Sequence, residues 1–172
     1  MTTSARPEPQ GIPRHRRKRR AKGSKTRQCP PRLSHNLRLR MAVHQAGHAV
    51  AHLYYALGTP ERITIASPEG GFITWRVDEL HDQTEEMLLA VLVATLAGRA
   101  AEKVILGSVG ASLGGARAND LAIATDLAFQ MEASMGFSRE WPLLYRQTDE
   151  RTLLLALDAA LTRSVYARLT VT

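Results

Sequence analysis

A single cysteine, Cys29, occurs in this 172-residue chain. That scarcity excludes an intramolecular disulfide and any Cys-rich metal site, so a metal here must be held by His and carboxylate. Long hydrophobic runs are missing as well. The longest, Met87 to Ala97, is interrupted by Thr95 and falls well short of the roughly 20 residues that cross a bilayer. A buried helix is the expectation there. No apolar segment of signal-peptide type follows the N-terminal basic cluster, so neither a secretory nor a twin-arginine export signal is complete. The cytoplasm is the expected address, with peripheral membrane attachment as the alternative. Neither Gly-Lys-Ser nor Gly-Lys-Thr occurs. The phosphate loop that needs it is therefore lacking, and no ATP binding by this chain is expected.

What is present is unevenly spread. Residues 1–40 hold 13 Lys and Arg against one acid, Glu8, a net +12, whereas the remaining 132 residues hold 10 Lys and Arg against 15 Asp and Glu, a net −5. The chain is thus a mildly acidic domain, 44% hydrophobic overall and able to bury a core, behind a strongly basic arm. Residues 1–31 are rich in Pro, Gly, Ser, Arg and Lys and have almost no large apolar side chains, so disorder is expected. The run Arg14 to Arg20 suits an anionic partner, either nucleic acid or lipid headgroups, or serves only as a solubilising tail. The run contains no interleaved aromatic residue, which argues against base stacking.

From residue 32 to 172 one domain is expected. Apolar spacing predicts a helix over 34–57, ended by Gly58-Thr59-Pro60. Two β-type segments, 62–66 and 72–77, follow around a Ser67 to Gly71 turn. Asp82 and Glu85 read as the cap of a long helix to Leu106, a further helix spans 117–135, and a last amphipathic helix spans 149–169. The fold class is α+β, mainly helical, with one small sheet.

The first helix carries His44-Gln45-Ala46-Gly47-His48. Histidines four apart share one helix face, which suits two ligands of a tetrahedral zinc. Such pairs also arise by chance on exposed helices. His48 and His52 form a second pair, but His44 and His52 stand two turns, roughly 12 Å, apart, so one ion cannot easily take all three.

Four segments in order resemble the peptidase half of the FtsH family of ATP-dependent zinc metalloproteases. They are HQAGH at His44 to His48, Leu96-Ala97-Gly98-Arg99-Ala100-Ala101-Glu102, Ala118 to Leu121 with Ala124-Thr125, and Met131 to Ser138. Together they cover about 100 residues. The resemblance implies a zincin-like metallopeptidase fold, a Zn2+ cofactor, and His44, His48 and Asp120 as its ligands. For Asp120 the ordinary alternative is a helix N-cap. Glu102 is implied as a buried partner of the site, or is a solvated helix charge. The resemblance further implies unfolded polypeptide as substrate and assembly into a homo-oligomer, the hexameric ring of that family. The segment Phe72, Ile73, Thr74 and Trp75 is implied as an edge on which an extended peptide adds a strand; the alternative is a packed core strand.

In H-E-x-x-H peptidases the glutamate takes a proton from water at the metal and returns it to the leaving amine. Here Gln45 stands in that position. An amide cannot accept that proton at neutral pH, so metal binding is expected to survive while hydrolysis is weak or lost, as in a pseudo-enzyme. No Asp or Glu lies between positions 41 and 52 to replace it.

Overall fold

A computed structural model describes residues 33–67, 70–77, 82–111, 119–146 and 150–170. The basic arm, with Cys29 and the Arg14 to Arg20 run, lies outside the described residues.

The first helix, α1 (His35–Tyr54), starts where Ser34 accepts the Leu37 N–H at 3.2 Å. It ends three residues earlier than its periodicity predicts, because Ala56 adopts a left-handed conformation (φ 55°) and turns the chain into the sheet. The strands β1 (Thr59–Ser67) and β2 (Gly70–Arg76) form an antiparallel hairpin with Ile63 opposite Ile73 and Thr64 opposite Phe72. Both strands reach further than the β-branched stretches alone suggest. Along β2 the residues alternate: Gly71, Ile73 and Trp75 are half-buried, while Phe72 and Thr74 are exposed.

Helix α2 (Glu85–Leu106) is capped by Thr84, whose hydroxyl accepts the Met87 N–H at 3.2 Å. Asp82 is not the cap. Its backbone carbonyl instead accepts the Thr84 N–H, and Glu85 and Glu86 occupy the first turn, where the helix dipole favours them. Helix α3 (Asp120–Ala133) is capped by Asn119, which accepts the Ala122 N–H at 2.8 Å. The single last helix expected over 149–169 is two helices, α4 (Arg151–Leu157) and α5 (Ala159–Thr170). Asp158 breaks them. Its carboxylate accepts the Leu161 N–H at 2.9 Å and an Arg146 hydrogen bond at 2.6 Å, an arrangement that competes with continuous helix.

The core lies where α2, α3 and α5 meet, around Leu92, Phe129 and Met131. A charged pair, Arg168 and Glu132, is buried beside it. Arg168 of α5 donates to the buried Glu132 carboxylate, to Glu85 Oε1 at 2.8 Å and to the Phe137 carbonyl, tying α5 to α2, α3 and the segment after α3. Replacing Arg168 by Met leaves Glu132 buried without its cation, so a loss of about 3–5 kcal/mol in urea unfolding is expected. Adding Glu132→Gln should recover part of it; a single-variant loss under about 1 kcal/mol would contradict this role.

Helices α1 and α2 cross closely at Gly47. A Cβ there would meet the Ala97 carbonyl oxygen at 2.5 Å and the Ala101 Cβ at 2.7 Å, so only glycine admits this approach. The crossing brings the HQAGH turn against the Ala97 to Glu102 turn of α2.

Candidate metal centre

Three residues of α2 spaced four apart, Ala94, Gly98 and Glu102, form a stripe on one helix face. They lie against His44 and His48, which form the matching stripe on α1. Glu102 Oε1 accepts from His44 Nδ1 at 2.8 Å, and the Ala94 carbonyl accepts from His48 Nδ1 at 2.8 Å. Between them Gly98 leaves room for the rings, since a Cβ would stand 2.5 Å from His48 Nε2 and 2.7 Å from His44 Nε2.

A carboxylate and a carbonyl can only accept, so both histidines carry their proton on Nδ1 and turn an Nε2 lone pair inward. The two Nε2 atoms are 3.0 Å apart. Asp120 Oδ2 completes the group, 3.0 Å from His44 Nε2 and 3.4 Å from His48 Nε2. Because Asn119 supplies the helix cap, the Asp120 side chain is released to reach α1. Three electron-pair donors thus converge on one point, where they repel one another unless a cation stands between them.

Zinc bonds of about 2.0–2.2 Å in a tetrahedron put neighbouring ligand atoms roughly 3.3 Å apart. The three separations observed bracket that spacing. The donor set therefore fits a metal of this kind. His44, His48 and Asp120 form the group able to hold an ion among the described residues.

The electrostatics agree. Asp120 beside His44 raises the His44 pKa, with Glu102 adding to the effect against the opposing influence of burial. Burial pushes the Asp120 carboxyl upward, but hydrogen bonds and charge from His44 and His48 outweigh it and hold Asp120 well below the usual carboxylate range. Burial likewise acts to raise Glu102, and the Gly110 N–H, Arg40 and His44 together bring it below its ordinary value. Positive charge is favoured at this point, whether a proton or a metal supplies it.

Sequence reasoning missed Arg40. Its guanidinium donates to Glu102 Oε2 at 2.6 Å and to the carbonyl and hydroxyl of Ser108, while the Gly110 N–H donates to the same Glu102 oxygen at 2.7 Å. Arg40 lies one turn before His44 on α1, which was the available signal. Glu102 is thus buried and engaged by three partners, not solvated. Glu102→Gln, which can no longer hold His44 as a carboxylate does, is expected to weaken zinc binding about 10- to 100-fold by competition titration. An unchanged affinity would remove Glu102 from the site.

His52 is not part of the cluster. Its ring stacks on Trp75 (centroids 3.8 Å apart, planes at 15°), and its Nδ1 is buried without a partner. Burial, and then the His48 charge, push its pKa down. Gln45, next to His44, is buried, with its amide against the β2 backbone: a Cβ on Gly71 would lie 2.9 Å from Gln45 Nε2. Of the four β2 residues implied in peptide binding, Ile73 and Trp75 turn to the half-buried face and Phe72 and Thr74 to the exposed one.

The fold and this donor set define a metallopeptidase-type domain, with an H-x-x-x-H helix and a carboxylate from a later helix. The family model of peptidase family M41 matches residues 32–170. The chain therefore belongs to that family. It is 35% identical over 121 residues to the ATP-dependent zinc metalloprotease FtsH of Mesomycoplasma conjunctivae, covering 68% of this chain and 16% of that protein. The protein of the same description from Thermobaculum terrenum is 34% identical over 121 residues (68% and 18%), and that from Trieres chinensis 38% over 109 residues (60% and 16%). The chain spans less than a fifth of the length of these relatives.

Proposed function

We propose that this chain is a zinc-holding peptidase domain of the FtsH type whose cleavage is weak or lost because Gln45 stands at the position of the general base. One observation carries the reading: the Nε2 lone pairs of His44 and His48 and the Asp120 carboxylate face one another within 3.4 Å, with both Nδ1 atoms held from outside. When bound, zinc supplies a Lewis acid that acidifies water and polarises a peptide carbonyl. His44, His48 and Asp120 would hold it through their facing Nε2 and carboxylate atoms. Glu102, Arg40 and the Ala94 carbonyl fix the tautomers and orientation of the rings. Gln45 orients a water through its amide but takes no proton from it.

The β2 edge favours an accompanying role, the capture of extended polypeptide. Among the described residues the sheet has two strands, so β2 keeps one side free for pairing, and its exposed Phe72 and Thr74 would add side-chain contacts. Unstructured peptides are then bound and released with little cleavage.

Metal analysis after dialysis against a weak chelator tests the first part. The unmodified chain is expected to retain about one zinc, and Asp120→Ala or His44→Ala to lose it with helical content kept. A metal-free unmodified chain would refute the reading.

A further inference from the structure

Beside the histidine stripe, on a face of α1 that neither His44 nor His48 lines, a groove of about 1140 Å³ opens between α1 and α2 and is bordered by α3, α4 and α5. Its walls are two helices. Val43 to Tyr54 on α1 and Val93 to Ile105 on α2 give each wall a length of roughly 16–18 Å, about three turns. Apolar side chains along it are left in water: Val50 is 67% exposed, Tyr54 80% and Ile105 65%. A contiguous exposed apolar surface of this kind marks an interaction site.

Among the described residues the lining holds one charged residue. Arg99 of α2 is partly buried there and makes no hydrogen bond or ion pair with any described residue. A guanidinium set among aliphatic side chains has lost part of its hydration and lacks the carboxylate that would compensate it. Its planar fork is suited to take that carboxylate in bidentate form. Three further features specify the occupant. Two helical walls three turns long match a third helix laid along their ridges, the apolar lining matches a helix face repeating at i, i+3 or i+4, and i+7, and Arg99 asks for one acid within that face.

We propose that this groove docks an amphipathic helix of about three turns from another polypeptide, with one Asp or Glu of its apolar face paired to Arg99. Leu121, the neighbour of Asp120, also lines the groove, so the docked helix touches the first turn of α3.

A displayed library of helix-forming peptides of roughly 14 residues, selected on the immobilised zinc-loaded chain, tests this. Enriched sequences should share the apolar repeat and one acid. Their affinity should fall about tenfold or more for Val50→Lys and for Arg99→Glu. Exchanging the peptide acid for Lys should restore binding to Arg99→Glu, a charge swap that general hydrophobic adhesion would not show. His44→Ala should bind the peptides like the unmodified chain, which separates this site from the metal centre. Circular dichroism checks folding, and Arg99→Gln serves should Arg99→Glu misfold. The proposal is overturned by no enrichment, or by peptides indifferent to Val50→Lys and Arg99→Glu. It is equally overturned if light scattering shows a dimer that Val50→Lys abolishes, making a second copy the occupant. Binding of the fluorescent fatty acid cis-parinaric acid that Arg99→Leu removes, with no peptide selected, would assign the groove to acyl carboxylates instead.

Discussion

Gln45→Glu is expected to raise hydrolysis of casein or an unstructured peptide by about 10²- to 10⁴-fold, the usual contribution of a general acid and base. The substitution is close to isosteric, so the buried position beside Gly71 accommodates it without a change in packing volume. What changes is the proton inventory. A carboxylate next to His44 takes a proton from water and returns it to the leaving amine; an amide does neither. No other acid of the site is free for that work. Glu102 is engaged by His44, Arg40 and the Gly110 N–H, and Asp120 by both inward-facing imidazole nitrogens. Zinc content must be measured alongside the rate. An unchanged rate with zinc bound would show that Gln45 does not limit the chemistry, whereas a higher rate that His44→Ala abolishes would establish both the centre and the missing base.

Much of this arrangement is legible in the sequence because it is local. The i, i+4 histidines follow from helical geometry, the hairpin from β-branched segments around Ser67 to Gly71, and the long α2 from its apolar content. The convergence of His44, His48, Asp120 and Glu102 follows from segments that resemble a known peptidase, although they lie far apart in the chain. The remainder depends on contacts that no local pattern encodes. Arg40 reads as an ordinary basic residue of a basic stretch, yet it meets Glu102 across 62 positions. Arg168 looks like a solvated charge near a helix end until Glu132 and Glu85 are placed around it. Apolar periodicity runs through Leu153 to Leu169 without interruption, so the break at Asp158 becomes visible only when Arg146 and the Leu161 N–H compete for its carboxylate. Thr84 outdoes Asp82 as the cap of α2 through the backbone conformation of its own residue, which spacing alone does not reveal.

The two close-approach glycines make the most specific test of the geometry, because alanine at each should fail differently. At Gly98 the added methyl meets the imidazole edges of His48 and His44 at 2.5–2.7 Å. Rings at the ends of rotatable side chains can turn aside, and the alanine gains about 1 kcal/mol in helix propensity, so the metal-free domain should keep its stability to within about 1–2 kcal/mol. Turned rings, however, lose their Nδ1 anchors on Glu102 and the Ala94 carbonyl and no longer aim Nε2 at Asp120. Zinc affinity should therefore fall by more than about 100-fold. At Gly47 the methyl meets the Ala97 backbone oxygen at 2.5 Å, which cannot rotate away. The helices must part, and apo stability should drop by about 1–3 kcal/mol or more, taking the centre with it. Urea unfolding of the apo proteins and zinc competition titration thus separate the two variants. Wild-type zinc affinity in Gly98→Ala would mean that the rings do not lie against α2, and the convergence of lone pairs on which the metal centre rests would go with them.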